Sequence, residues 1–111
     1  MPSGGSDSPV EEPDVLLGIQ CAVTRMPVTR RIDMPYLSHE ALTIPDALRS
    51  FTSGGSYASF EENLKGVIQP GMLADFTILD SNPAEINPAL IHKIPVISTY
   101  IAGRPTFYSN I

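Results

Sequence analysis

Lys65-Gly66-Val67-Ile68-Gln69-Pro70-Gly71-Met72-Leu73-Ala74-Asp75-Phe76-Thr77-Ile78-Leu79-Asp80 is the stretch in which the chain changes its period. Ala74, Phe76 and Ile78 alternate there with Asp75, Thr77 and Leu79, the two-residue period of a strand with one buried face. On that alternation Phe76 and Ile78 are expected to be core residues. Asn82-Pro83 and Asn87-Pro88 follow as turn formers, and Pro88 to Ile91 suits a single helical turn. Val96 to Ala102 is a second β run. Gly103-Arg104 then turns the chain into Thr106-Phe107-Tyr108, which predicts a closing hairpin.

Upstream of this stretch the period is helical. Residues 1–13 are rich in Gly, Ser and Pro and read as a loop. Pro13-Asp14 opens a helix expected to run to about Arg25, with Glu11, Glu12 and Asp14 at its start and Arg25 at its end complementing the helix dipole. Leu16, Ile19, Ala22 and Val23 give it one apolar face. Residues 26–41 show no period and read as a surface loop. Thr43 with Asp46 resembles a capping box, Pro45 suits a first turn, and Ile44, Ala47, Leu48 and Phe51 form the stripe of a second helix. Gly54-Gly55 is expected to break it, ahead of a short helix through Tyr57, Ala58 and Phe60. Helices first and strands last is an α+β pattern. The few strands need a partner layer, because a lone hairpin is marginal in water.

At 111 residues the chain holds one core at most. Apolar residues make up 42% and charged residues only 17%, a composition that suits a folded chain whose surface is available for association. The net charge of -5 argues against nucleic acid, because phosphate binding needs a basic face. Arg30-Arg31 is the one adjacent basic pair and reads as part of a solvated loop. The single cysteine, Cys21, rules out an internal disulfide and a cysteine metal cluster. No apolar run approaches the ~20 residues that span a bilayer, and no basic-then-apolar leader opens the chain. The expected location is cytoplasmic, with no membrane partner.

Asp7, in Gly5-Ser6-Asp7-Ser8-Pro9, is the side chain that points to chemistry. A carboxylate on a tight polar loop can ligate a metal or take a proton from water. It can equally form an Asx-turn with its own backbone, the commoner fate of such loops. Gly4-Gly5-Ser6 meets neither the phosphate-loop nor the nucleophile-elbow pattern, lacking a following Lys-Ser/Thr pair and a glycine two residues after Ser6. His39 and His92 have no ligand partner at a familiar spacing and read as solvent-facing. Adjacent Glu61-Glu62 cannot share a proton, since neighbours on a regular element point apart, and read as a solvated helix end.

Several segments, in order, resemble the C-terminal part of the amidohydrolase superfamily, in its exoenzyme-regulatory-like and N-substituted-formamide-deformylase-like branch. They are Gly5 to Val10, Leu17-Gly18-Ile19, Ala22 to Arg25, Glu40 to Thr43, Ala47-Leu48-Arg49 and Tyr57 to Glu62. Lys65 to Asp80, Asn82-Pro83 and Thr99 to Arg104 complete the series, and Pro-Gly-x-Leu-Ala-Asp-Phe within it is specific. The resemblance implies a (β/α)8 metallo-hydrolase barrel with a small β-sandwich built from both chain ends. Residues 1–62 would be the remnant of the barrel's C-terminal end: the strand-eight loop and the helices after it, with residues 14–25 as the eighth helix or its neighbour. Residues 63–111 would carry the sandwich strands, at 65–80 and 95–108. The resemblance makes Asp7 the aspartate after strand eight, which contacts a divalent, zinc-like metal and shuttles the proton of the metal-activated water to the leaving nitrogen of a small amide-type substrate.

The family's first-strand His-x-His, its lysine or glutamate bridge and its two later histidines fall outside these 111 residues. A barrel needs roughly 200–250 residues, so the barrel here is incomplete. The expectation is therefore a truncated amidohydrolase that binds no metal and is inactive alone, or is completed by another polypeptide. The alternative is a stand-alone α+β interaction or oligomerisation module without catalysis.

Overall fold

Asp14 starts the first helix. In the computed structural model, which describes residues 1–28 and 34–110, its Oδ1 accepts from the backbone N–H of Leu16 at 2.9 Å and of Leu17 at 3.3 Å. These are donors a helix N-terminus otherwise leaves unpaired. Helix α1 runs Val15–Thr24 and stops where Arg25 turns left-handed at φ 55°, its N–H donating to the Cys21 carbonyl at 2.8 Å. Leu16 and Ile19 are buried on the expected face, with Ala22 and Val23 packed beside them. The Arg30-Arg31 pair lies outside the described residues.

Thr43 caps α2, Ile44–Ser50, as the capping pattern predicts: its hydroxyl accepts from the Asp46 N–H at 3.2 Å and donates to Asp46 Oδ2 at 2.7 Å. The helix does not break at Gly54-Gly55. It ends at Phe51, and both glycines sit inside a further short helix, α3, Ser53–Ala58. Packing accounts for Gly54, because a Cβ there would run into the Pro2 carbonyl and the Arg49 carbonyl. Phe60 falls outside α3, with φ 60°, and is 91% exposed. The residues described between α1 and α2 are mostly exposed loop, with a 3-10 turn at Ser38–Glu40.

The C-terminal third forms one antiparallel sheet in the order β1-β2-β3, with β1 at Phe76–Leu79, β2 at Val96–Ile101 and β3 at Arg104–Tyr108. A 3-10 segment, Pro88–Lys93, stands where the single helical turn was predicted. The hairpin between β2 and β3 turns on Ala102 and Gly103, both at positive φ (50° and 74°), the signature of a tight two-residue turn. In β1 the pairing slips: Ile78 faces Ser98, but Leu79 faces Val96. That bulge re-aims the strand's end. Leu79, not Ile78, reaches the core, while Phe76 is only half-buried and Ile78 is 43% exposed. The expected burial of Phe76 and Ile78 is thus corrected: the slip in register brings Leu79 to the core in their place.

The core is small. Leu16, Ile19, Ala47, Ile91 and Ile94 lie between α1, α2 and the 3-10 segment, with Leu79 and Val96 joining from the sheet. Helices and sheet meet at this corner and leave a hollow of about 840 Å³ between them, lined among others by Leu16, Leu48, Phe51, Thr77, Thr99 and Ile101. The radius of gyration, 14.7 Å, exceeds the ~13 Å of a compact domain of about 100 residues. Accessible surface totals 8012 Å², against about 6,000 Å² for a close-packed monomer of this mass. Among the described residues no helix is long and apolar enough to cross a membrane.

Candidate functional site

The N-terminal loop is built onto the helices. Gly4 N–H donates to the Ser50 carbonyl at the end of α2, at 2.8 Å. Three residues later Asp7 adopts the left-handed conformation, φ 51°, which aspartate tolerates better than most residues. The turn closes through the backbone, with Val10 N–H donating to the Asp7 carbonyl at 2.9 Å. The bond that holds the loop is therefore not an Asx-turn bond to the carboxylate, and Asp7 stands exposed at the surface. It does not line the hollow between helices and sheet.

The structure does not bring the two histidines to Asp7 in a ligand cluster. Among the described residues, no three His, Cys, Asp or Glu side chains are grouped so as to hold a metal ion. His39 is exposed, its Nε2 3.7 Å from the carboxylate of its neighbour Glu40. His92, expected to face solvent, is half-buried instead: its backbone N–H donates to Gln20 Oε1 at 2.9 Å, and its Nδ1 lies 2.7 Å from the same oxygen. Gln20 is itself buried, so this pair locks α1 to the 3-10 segment. Sequence reasoning missed it because the partners are far apart in the chain and Gln20 lies on an otherwise apolar helix face.

Glu61 and Asp75 make contacts that hold the fold. Glu61 accepts from Lys65 Nζ and from the Ser59 hydroxyl, each at 2.7 Å, and these bonds, Lys65 first, hold its carboxyl below the usual range. Glu62 is exposed beside it, so the two glutamates do not pair. Asp75, in the Leu-Ala-Asp-Phe run, accepts from the Ala102 N–H at 2.7 Å, while Gly103 N–H donates to the Ala74 carbonyl at 2.9 Å. The run thereby grips the β2–β3 turn, which gives this motif a structural purpose. Burial pushes the Cys21 thiol up, and Glu11 adds to the shift, so little reactive thiolate is present at neutral pH.

Comparison with known proteins accords with the order of these segments. The family model described as "Amidohydrolase family" matches residues 2–107. YtcJ of Bacillus subtilis (strain 168), whose name places it among the amidohydrolases, is 37% identical over 102 residues, covering 92% of this chain and 19% of that protein. The protein LONG AFTER FAR-RED 3 of Arabidopsis thaliana is 32% identical over 103 residues, covering 93% of this chain and 17% of its own length. N-substituted formamide deformylase of Arthrobacter pascens is 30% identical over 69 residues, 62% of this chain and 13% of that enzyme. No solved structure matches the chain significantly. The chain thus spans less than a fifth of the length of these curated relatives. It belongs to the amidohydrolase family.

Proposed function

We propose that this chain is the distal part of a metal-dependent hydrolase of carbon–nitrogen bonds, inactive alone, which contributes one carboxylate and a large apolar surface to a barrel built by other residues. The observation that carries this is the family match over residues 2–107 in a chain spanning so little of its relatives. Amidohydrolases generally depend on a metal and act on small molecules, and the relative named as a formamide deformylase suggests an amide-type substrate. Residues 1–62 belong, on this proposal, to the end of the barrel, and residues 63–111 to an accompanying β-sandwich.

A zinc-like ion takes three or four protein donors. With no such group among the described residues, these side chains do not fit a metal by themselves. Asp7 is proposed as the proton-carrying carboxylate, with the metal donors supplied from elsewhere in the completed protein. Its exposed position on a backbone-closed turn, with the carboxylate not spent on holding the loop, supports that role.

The second reading is an interaction module without catalysis. It draws on the same open surface, roughly 2,000 Å² beyond that of a close-packed monomer, which exceeds the ~800 Å² that each partner of a standard interface buries. The test is to join the chain to, or co-express it with, an amidohydrolase polypeptide carrying His-x-His, and assay amide hydrolysis. Asp7→Asn should lower turnover by about 10²–10⁴-fold, the worth of a positioned acid–base group, without dissociating the assembly. Unchanged turnover in the variant would remove Asp7 from the chemistry.

A further inference from the structure

Phe51 sits between two backbones. An added Cβ on Gly4 would lie 2.8 Å from the ring's Cε2 and Cζ, and one on Gly18, in α1, would lie 2.9 Å from the same Cζ. Gly4 meets the ring mainly on its Cε2 and Cδ2 side and Gly18 mainly at Cζ and Cε1, so the two glycines bracket it. The next bond along fixes the same spot, since Gly4 N–H is held by the carbonyl of Ser50, the residue before Phe51. The segment that leads into the Asp7 turn is therefore seated by one aromatic ring and one hydrogen bond, both from the end of α2.

From this geometry we infer that Phe51 is a positioning residue for the Asp7 loop: its ring, slotted between Gly4 and Gly18, sets where the turn carrying Asp7 stands relative to α1. The inference rests on the proposed role of Asp7 for its catalytic meaning, but the clamp itself can be measured without any activity. Neither glycine is needed here for an unusual backbone angle, as neither has a positive φ. What each supplies is the room that a methyl group would fill. Close approach of this kind is a recurrent use of glycine, and it ties two short glycine-bearing segments to one side chain. Phe76, Tyr100 and Tyr108 form a separate aromatic group on the sheet.

The experiment is amide hydrogen exchange on the full chain, comparing wild type, Gly4→Ala, Phe51→Leu and the double variant. Gly4→Ala should speed exchange at position 4 and at Val10, whose N–H groups bond Ser50 and Asp7, by on the order of tenfold or more, and by more than at α1 amides remote from Gly18. The smaller leucine should make room for the new methyl, so the double variant should recover most of the loss, a rescue that general destabilisation does not produce. Unchanged exchange at Gly4 and Val10 in Gly4→Ala would overturn the clamp. So would a double variant no better than the single one. In the completed protein Gly4→Ala should lower turnover with little change in KM. Hydrolysis that is absent from the wild-type assembly overturns the proposed function and leaves the exchange result standing on its own.

Discussion

At the scale of single residues, the side chains that matter most hold the molecule together across long sequence separations. Gln20 is the clearest. It is buried on α1, and its one amide oxygen faces both the backbone N–H and the ring Nδ1 of His92. Replacing it with leucine keeps the volume and leaves the His92 N–H without its acceptor, a loss of about 1–3 kcal/mol. Urea denaturation of Gln20→Leu checks this, and a change within ~0.5 kcal/mol would show that water takes over the oxygen's role. Nothing in a single sequence pairs Gln20 with His92, whereas the Thr43–Asp46 cap was legible because both partners lie within one helical turn. Asp7 was equally visible as a carboxylate on a tight loop. The ring that seats its loop was not, because Gly4, Gly18 and Phe51 share no local pattern.

Elements were legible where their signals are local. Asp14 and Arg25 bound α1, Asn87-Pro88 opens the 3-10 segment, and Gly103 marks the hairpin, each through backbone chemistry confined to a few residues. Two expectations failed for tertiary reasons. Gly54-Gly55 carries a breaker's composition, but Gly54 is used for close packing against the Pro2 carbonyl within α3. The period-two pattern in β1 did mark a strand, yet burial depends on what covers the face, and the bulge after Ile78 delivers Leu79 to the core instead. Phe76 is left stacked on Tyr100, ring centroids 4.6 Å apart, and half-exposed. Phe76→Ala in the isolated chain should therefore cost about 1–2 kcal/mol, mostly the aromatic pair. A cost of ~3–5 kcal/mol, that of a fully buried phenylalanine, would show this face to be covered.

The whole molecule is under-packed for its size. Five buried apolar residues among those described, an open hollow between helices and sheet, and surface well above that of a close-packed monomer fit a chain whose apolar faces meet other residues. Composition had pointed the same way, through sparse charge and ample apolar content. It could not say which faces stay open, since that depends on how α1, α2 and the sheet meet. Family membership was carried by the order of segments from Gly5 to Arg104, and the role of the chain within a larger enzyme is the central proposal. Bound metal, counted by mass spectrometry, tests that proposal most directly, on the chain alone and on the chain completed by a His-x-His-bearing amidohydrolase polypeptide. The expected result is no tightly held ion on the chain alone and stoichiometric metal in the completed assembly. One tightly held ion on the isolated chain, lost on Asp7→Asn, or a completed assembly that stays metal-free, would contradict it.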